Sequence, residues 1–341
     1  MTAPSEPDAA APAPDASRSA PRRPADDRLA VPLRIGGLIV DRRVFMAPMA
    51  GVTTPPFRAA ARRWGAGLVY TEMISAYGVH YGNRRTLDYL ACRDEEHPVA
   101  YQLFGADPDV LADAAAACVQ AGADLVDLNM ACPVRKVVKT GAGAALMGDP
   151  RRAAAAVAAV VRAAGADVPV TVKIRAGLRG GDEAWREVAL RLVEAGVAAI
   201  CIHPRTAAQL YRGRADHAVT RALAAAVPVP VIASGDVDGR AAALALLDTG
   251  AAAVMLARYA LGQPWLFAEI LDDAPPPAAA ARLAELRAFV ADVLGEMGAR
   301  GVGHLRQFWP RFRRSGTIDR ELSLALMRAA SGDEVRALLD L

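Results

Sequence analysis

Cysteine is scarce in this sequence of 341 residues, and its four copies stand far apart. They form no Cys-x-x-Cys pair and no metal-site spacing with a histidine; they are Cys92, Cys118, Cys132 and Cys201. Disulfide frameworks and zinc sites use closely spaced cysteines, so isolated thiols indicate a reducing compartment. We therefore predict a cytoplasmic protein that holds no metal.

Long apolar runs are also missing. No stretch reaches the roughly 18 apolar residues that cross a membrane as a helix, so we expect no membrane span. Residues 1–29 lack the apolar segment of a signal peptide and hold almost no large apolar side chain. Such a segment cannot bury enough surface to offset the entropy of ordering, and we predict a disordered tail.

Neither sign of charge is in large excess. The chain has 40 Lys and Arg against 37 Asp and Glu, a formal net charge of +3. This balance does not by itself indicate a nucleic-acid partner, so any basic binding surface must be local.

From residue 44 onward, short apolar runs alternate with longer amphipathic stretches. Junctions such as Ala121-Gly122-Ala123-Asp124 end a helix with glycine and open a strand. Eight such repeats predict an α/β fold, a (β/α)8 TIM barrel, rather than an open doubly wound sheet, because no GxGxxG follows the first strand. The predicted strands are Val44–Met46, Leu68–Thr71, Pro98–Phe104, Leu125–Leu128, Pro169–Ile174, Ala199–Ile202, Val229–Ala233 and Ala252–Leu256.

The end of the chain has a different pattern. A proline-rich segment at Ala274–Pro277 follows the last barrel helix, and residues 278–341 show helical patterns alone. We therefore expect three regions: a tail over 1–29, a barrel over 30–273 and an appended all-helical domain over 278–341.

The segment Asp127-Leu128-Asn129-Met130-Ala131-Cys132-Pro133 follows an apolar strand and leads into a glycine-rich loop. A thiol at a strand end, beside an amide, is well placed to present a proton, although free cysteines are often simply buried. Other predicted strand ends carry Gln102, Lys173 and His203. Active residues of TIM barrels come from these C-terminal strand ends, so the coincidence predicts an active site there.

The ends of strands seven and eight indicate a phosphate site. The turn Ser234-Gly235-Asp236 can offer backbone N–H groups, and Arg258 can add a charged fork. Loops after these two strands are the usual phosphate site of such barrels. The bound phosphate could belong to a cofactor or to a substrate.

Residues of earlier strands favour a flavin over a sugar phosphate. Met49 and Ala50 offer an apolar wall and backbone groups for a planar ring. Gln102 and Lys173 can bond the polar edge of that ring, where a cation stabilises the reduced form. We therefore expect FMN.

These motifs together resemble the tRNA-dihydrouridine synthases, most closely their bacterial B-type branch, over roughly residues 32–340. The matching segments are Ala47-Pro48-Met49-Ala50-Gly51-Val52-Thr53 with Pro56-Phe57-Arg58, Gln102-Leu103-Phe104-Gly105, Asp127 to Pro133, Val172-Lys173-Ile174-Arg175, and His203-Pro204-Arg205-Thr206 with Gln209, Tyr211 and Gly213.

The resemblance implies an FMN enzyme that uses NADPH to reduce a uridine of tRNA to dihydrouridine, in the D-loop. Hydride would go to uracil C6, and Cys132 would protonate C5 of a base flipped out of its stack. Asn129 and Arg175 would contact the substrate. The implied FMN contacts are Pro48, Met49, Ala50, Gln102, Lys173, His203, Ser234, Gly235, Asp236, Ala257 and Arg258.

The sequence departs from the family pattern at four positions. Ala257 and Tyr259 flank Arg258 where the family usually has glycine, Ser234 replaces asparagine, and Pro204 replaces glycine. Ala257 retains its backbone N–H, whereas the bulk of Tyr259 would narrow the phosphate loop.

The helical region contains basic residues interleaved with aromatic ones. Arg311, Arg313 and Arg314 form a cluster that we expect to contact RNA. Phe308 and Phe312 are four residues apart, and we expect this face to pack against neighbouring helices.

Two other functions remain open. The chain could be an FMN oxidoreductase that acts on a free pyrimidine, although a free base needs no basic helical region. It could also be an inactive RNA-binding scaffold, although Cys132, Lys173 and Arg258 are intact. The sequence does not identify the modified uridine, the preference for NADPH over NADH, or the oligomeric state.

Overall fold

The computed structural model describes residues 26–341, in which short strands alternate with helices. The strands are β1 Leu33–Ile35, β2 Leu38–Val40, β3 Val44–Met46, β4 Val69–Tyr70, β5 Ile74–Ser75, β6 Val99–Phe104, β7 Leu125–Asn129, β8 Val170–Arg175, β9 Ala199–His203, β10 Val231–Ser234 and β11 Ala253–Leu256. The helices are α1 Pro55–Arg63, α2 Ala76–His80, α3 Arg84–Leu87, α4 Pro108–Gln120, α5 Arg135–Val138, α6 Pro150–Ala164, α7 Ala184–Glu194, α8 His217–Ala226, α9 Arg240–Leu247, α10 Leu266–Asp272, α11 Ala279–Met297, α12 Ala299–Leu305, α13 Trp309–Arg314, α14 Arg320–Arg328 and α15 Gly332–Leu339.

The central sheet is parallel and closes on itself. Its order is β3-β11-β10-β9-β8-β7-β6-β4, and β5 pairs with the end of β6. The two ends of this order meet, because Met46 N–H donates to Leu68 O (2.9 Å) and Gly67 N–H donates to Val44 O (2.8 Å). The TIM-barrel prediction is therefore confirmed, and the open doubly wound sheet is excluded.

Local sequence explains where the barrel helices begin. Asp107 and Asp149 accept backbone N–H bonds from the first turns of α4 and α6. Each is followed by a proline, whose missing N–H costs nothing at that position. The glycine junctions also behave as predicted, since Gly122 has φ +90° just after α4.

The second barrel strand is interrupted, which the sequence did not predict. Instead of one strand over Leu68–Thr71, the structure has β4 and β5, separated by Thr71 to Met73. The Thr71 hydroxyl accepts the Gln102 N–H (3.1 Å) and donates to Glu72 O (2.9 Å). These side-chain bonds replace a regular ladder and bring residues 72 and 73 toward the C-terminal end of the barrel.

A hairpin that the sequence did not predict covers the opposite end. β1 and β2 pair antiparallel, and Leu33, Ile35 and Val40 pack against the inward side chains at the starts of the barrel strands. Gly36 lies in the turn at φ +56°, where a side chain would meet Pro169 just before β8. The hairpin therefore closes the N-terminal end and leaves the C-terminal end as the open face.

The C-terminal helices pack onto the barrel through aromatic side chains. Phe57 of α1 contacts Phe308 (ring centroids 5.8 Å apart), and Phe289 of α11 contacts Phe308 (5.0 Å). Phe308 and Phe312 are only 1% and 2% exposed, so the prediction that they pack in the core is confirmed. Arg93 adds ion pairs to Asp292 and Glu296 of α11.

The predicted tail falls mostly outside the described residues, which begin at residue 26. At its end, Leu29 is fully buried and Arg28 pairs with Asp26 (2.7 Å) and Asp248 (2.8 Å). Residues 26–29, which we placed in the tail, therefore contact the barrel in this structure. Across residues 26–341, no helix has the length and apolar character needed to cross a membrane.

Candidate active site

Side chains along each strand alternate between the inside and the outside of the barrel, and the polar side chains at the strand ends point inside. Register pairs Asn129 with Lys173 and Arg175 with His203 across β7, β8 and β9. Val172 and Ile174, which lie between these positions on β8, pack instead in the apolar layer under the helices. Because successive side chains face opposite sides, the polar residues share the interior.

These side chains line one cavity of about 570 Å³ at the C-terminal end of the barrel. The cavity brings together every cofactor and substrate residue that the sequence predicted in the barrel except Gln102. These residues are Pro48, Met49, Ala50, Asn129, Cys132, Lys173, Arg175, His203, Ser234, Gly235, Asp236, Ala257 and Arg258.

Gln102 lies below the cavity, in a fully buried polar layer. Its Nε2 donates to Asp127 (2.6 Å), and its Oε1 accepts from Asn129 Nδ2 (2.8 Å). Thr171 donates to the other carboxylate oxygen of Asp127 (2.6 Å). Burial raises the pKa of Asp127 to about 6 despite these bonds. The Gln102 amide thus donates and accepts one hydrogen bond within the buried layer, and direct contact with a cofactor stays a prediction.

Asn129 holds the loop that carries the Cys132 thiol. Its Oδ1 accepts the backbone N–H groups of Ala131 (3.1 Å) and Cys132 (2.8 Å). Gly143, at φ +61°, packs against this loop from the other side, where a Cβ would lie 2.7 Å from Cys132 O. The carbonyl of the Asn129 side chain is therefore occupied, and only its second N–H is left for a substrate.

Lys173 and Arg175 bring two buried cations to the cavity. Burial lowers the pKa of Lys173, and within residues 26–341 its ammonium has no hydrogen-bond acceptor. Arg175 donates to Ala131 O (2.7 Å) and to Thr206 O (3.0 Å), which joins the Cys132 loop to the loop after β9. An unpaired buried ammonium is costly, so Lys173 is suited to a polar ligand.

His203 is neutral because of its surroundings. Burial, with the charges of Lys173, Arg175 and two further arginines, lowers its pKa to about 2. Its Nε2 lies 3.1 Å from Arg205 Nη1, which can only donate, so the ring proton is on Nδ1. His203 can therefore donate a hydrogen bond from Nδ1 without carrying charge.

A half-buried ion pair that the sequence did not single out shapes the turn after β10. Arg205 Nη2 donates to both carboxylate oxygens of Asp236 (2.9 and 2.8 Å) and to Gly213 O (2.7 Å). Asp236 has φ +54°, in the left-handed region. Burial opposes its charge, but the Ala215 N–H and Arg205 hold the pKa of Asp236 below its usual range. Its carboxylate is thus a structural partner.

The turn after β10 and the start of the loop after β11 form a set of hydrogen-bond donors. Within the described residues, the backbone N–H groups of Gly235, Asp236, Arg258 and Tyr259 have no acceptor. A Cβ at Gly235, which has φ +114°, would lie 2.9 Å from His203. Free amides beside the Arg258 guanidinium suit a phosphate.

The arginines of α13 lie outside the cavity but beside its mouth. Gly262, in the loop after β11, approaches the backbone of Arg311 so closely that a Cβ there would lie 2.6 Å away. Burial lowers the pKa of Arg311, and the charges of Arg314 and Arg258 contribute. Arg313 and Arg314 are exposed. Arg311 and Arg314 therefore extend the positive charge beside Arg258 toward solvent.

Other residues also line the cavity, and the sequence pattern predicted an effect for only one of them, Tyr259. The Tyr211 ring lies under the guanidinium of Arg258 (4.9 Å) and near that of Arg175 (5.6 Å). Tyr259 is exposed at the rim, so its bulk does not fill the cavity. Met73 is the last residue of the interruption between β4 and β5, which strand patterns did not reveal. In residues 26–341, no group of three or more His, Cys, Asp or Glu is arranged to hold a metal ion.

Comparison with known proteins identifies the family. Residues 45–307 match the family model described as Dihydrouridine synthase (Dus). The chain is 42% identical to tRNA-dihydrouridine synthase B of Xanthomonas campestris, over 70% of this chain and 71% of that protein. It is 39% identical to tRNA-dihydrouridine synthase B of Pseudomonas aeruginosa, over 79% of this chain and 84% of that protein.

Solved structures agree on the fold. Morphinone reductase in complex with tetrahydroNAD superposes with a TM-score of 0.53 at 16% identity, over 74% of this chain and 92% of that one. The chain spans about half the length of two other structures that it matches. With a family match over most of the barrel and the site residues gathered at its C-terminal end, the chain belongs to the dihydrouridine synthase family of flavin-dependent oxidoreductases.

Proposed function

We propose that this protein reduces a uridine in the D-loop of tRNA to 5,6-dihydrouridine, with FMN as cofactor, NADPH as reductant and Cys132 as proton donor. One observation carries the proposal: a thiol, an unpaired buried ammonium and a set of free N–H donors share one cavity. The names of the bacterial relatives, tRNA-dihydrouridine synthase B, support the choice of substrate.

The cavity fits FMN at both ends of the molecule. Gly235, Asp236, Arg258 and Tyr259 offer unpaired N–H groups for a phosphate, beside the Arg258 charge. The Lys173 ammonium is available for the polar edge of a ring, and Met49 and Ala50 supply an adjoining wall. When bound, reduced FMN would supply the hydride for uracil C6.

Cys132 completes the reduction by giving its proton to C5. That carbon becomes carbanion-like once C6 has gained a hydride, so it needs an acid within reach. The thiolate that remains on Cys132 lies near Arg175 and Lys173, whose charges interact with it. Those cations stabilise the thiolate until solvent returns a proton, and Asn129 keeps the loop in position throughout.

The substrate reaches the cavity as a base flipped out of its stack, because a uracil that stays stacked in RNA cannot reach into the barrel. The helical region 278–341 would bind the surrounding RNA. Its exposed Arg313 and Arg314 extend the positive rim of the cavity and suit phosphate groups.

The test uses Cys132→Ala with Cys92→Ala as a matched control, since Cys92 is a partly buried thiol that does not line the cavity. Dihydrouridine is measured by mass spectrometry in an unmodified tRNA transcript, which also locates the modified position. We expect Cys132→Ala to retain flavin and tRNA binding but to lose about 100-fold or more in turnover. The control should match the wild type.

Other outcomes would contradict parts of the proposal. Near wild-type turnover by Cys132→Ala would remove the acid role. A flavin spectrum with turnover of free pyrimidines but not of tRNA would favour the alternative oxidoreductase. Purified protein that neither contains nor binds flavin would favour the RNA-binding scaffold.

A further inference from the structure

An exposed pair of aromatic residues, Tyr77 and Tyr81, lies on α2 and at its C-terminal end, just after β5. Tyr77 and Tyr81 are 41% and 74% exposed, and their rings stack with centroids 6.3 Å apart and planes 18° apart. Neither ring belongs to the hydrophobic core. Aromatic rings that stay in solvent at adjoining positions are typical of a binding surface.

The pair lies at the same end of the barrel as the cavity. β5 pairs with the last residues of β6, which places it at the C-terminal edge, and Met73 just before it lines the cavity. At most about 14 Å of chain separates Met73 from Tyr77. The Tyr77–Tyr81 pair is therefore next to the cavity, at the open C-terminal end of the barrel.

Two arginines continue the surface. Arg84 and Arg85 are exposed at the start of α3, and Leu87 adds an exposed apolar side chain. Burial raises the pKa of Glu72, while the Gly51 N–H and the charges of Arg58 and Arg85 oppose that rise. Arg85 is thus close enough to act on Glu72, which comes just before the cavity residue Met73. Asp88, the residue just after α3, is an exposed acidic side chain.

α2 and α3 are each capped at their first turn and pack closely against each other, so the surface is preorganised. Ser75 accepts the Gly78 N–H (3.2 Å), and Asn83 accepts the Thr86 N–H (3.1 Å). Gly78 packs so tightly on Thr86 that a Cβ would lie 2.4 Å from its hydroxyl. A rigid platform loses little conformational entropy when a ligand binds.

We infer that Tyr77, Tyr81, Arg84 and Arg85 form a second RNA-contact surface, on which unpaired bases next to the reactive uridine stack while the arginines bind their phosphates. This inference rests on the proposed function. Stacked rings beside arginines are the usual means of holding single-stranded nucleotides. Flipping a base disrupts the stacking of its neighbours, which then need a new partner.

The test measures the Kd and the KM for an unmodified tRNA transcript with the full-length, flavin-containing protein. The variant Tyr77→Ala/Tyr81→Ala removes the rings, and Tyr77→Phe/Tyr81→Phe keeps them. Leu190→Ala, at an exposed apolar residue of α7, is the matched control. We expect the alanine pair to weaken tRNA binding about 5- to 100-fold and to raise KM, with the phenylalanine pair and Leu190→Ala near wild type.

Flavin content and NADPH oxidation without RNA should be unchanged in all variants, which separates lost RNA contact from misfolding. A tRNA affinity within 2-fold of wild type for the alanine pair would overturn the inference. So would a loss of self-association with unchanged affinity, because the surface would then bind a second copy of the chain. If the wild type itself modifies no tRNA, the proposed function fails, and the inference falls with it.

Discussion

The buried carboxylate of Asp127 should contribute a loss of stability as pH rises from mildly acidic to neutral. Asp127 is fully buried below the cavity, and two donors, Gln102 and Thr171, bond it. Asp127→Asn would remove the charge and keep the shape. The new amide can accept from Gln102 and donate to the Thr171 oxygen, so neither neighbour loses its partner.

The magnitude follows from proton linkage. The pKa rises from about 3.9 in an unfolded chain to about 6 in the folded protein. The folded state therefore holds its proton more tightly, and the free energy of unfolding falls as pH rises from about 4 to about 6. This difference between the two pKa values corresponds to roughly 3 kcal/mol of stability. The wild type has lost this contribution above about pH 6, and Asp127→Asn shows no such change with pH.

Urea unfolding of both proteins at pH 4, 5, 6 and 7 provides the measurement. The wild type and the variant share every other titrating group, so only the difference between their unfolding free energies is interpreted. We expect this difference to move by about 3 kcal/mol in favour of Asp127→Asn between pH 4 and pH 7. If the unfolding free energies of the two proteins changed with pH in parallel, the reasoning would be refuted. Asp127 would then have the same pKa in the folded and unfolded states.

Two further changes test the Cys132 loop and the basic rim. Asn129→Ala leaves two N–H groups of the Cys132 loop without an acceptor. The free energy of unfolding should therefore fall by about 2–4 kcal/mol. Because the loop carries the proposed acid, tRNA turnover should fall more than flavin binding. Unchanged turnover would show that the loop holds its position alone. Arg313→Gln/Arg314→Gln should weaken tRNA binding and reduce the slope of log K against log salt by up to about 1.8, measured from 50 to 200 mM salt. An unaltered slope would mean that these arginines touch no phosphate.

The barrel was predictable because its signals are local and repeated. Most of the barrel helices are followed by a glycine, two begin at an aspartate followed by proline, and each strand is a short apolar run. The hairpin of β1 and β2 carries no such signal, since its strands have three residues each and no alternation can be established over that length. The interruption after β4 depends on the Thr71 side chain, which acts through a contact with β6.

The position of Gln102 shows what strand-end patterns cannot determine. Its amide looks like the other polar residues at strand ends, but register pairs it with Asp127, two residues before Asn129. That places it one layer deeper, under the cavity rather than in its wall. Likewise, Arg205 and Asp236 are 31 residues apart in sequence, and nothing local indicates that they pair.

The C-terminal helices also take part in building the cavity wall. Gly51 follows the wall residues Met49 and Ala50; its N–H donates to Glu72 (2.5 Å), and its carbonyl accepts from Gln307 after α12 (2.6 Å). The aromatic contacts of Phe57 depend on the same helices. Deleting residues 278–341 would therefore expose Phe57 and release the wall as well as remove the proposed RNA-binding surface. Loss of activity in such a truncation could not be assigned to RNA binding, whereas substitutions at exposed arginines leave this packing intact.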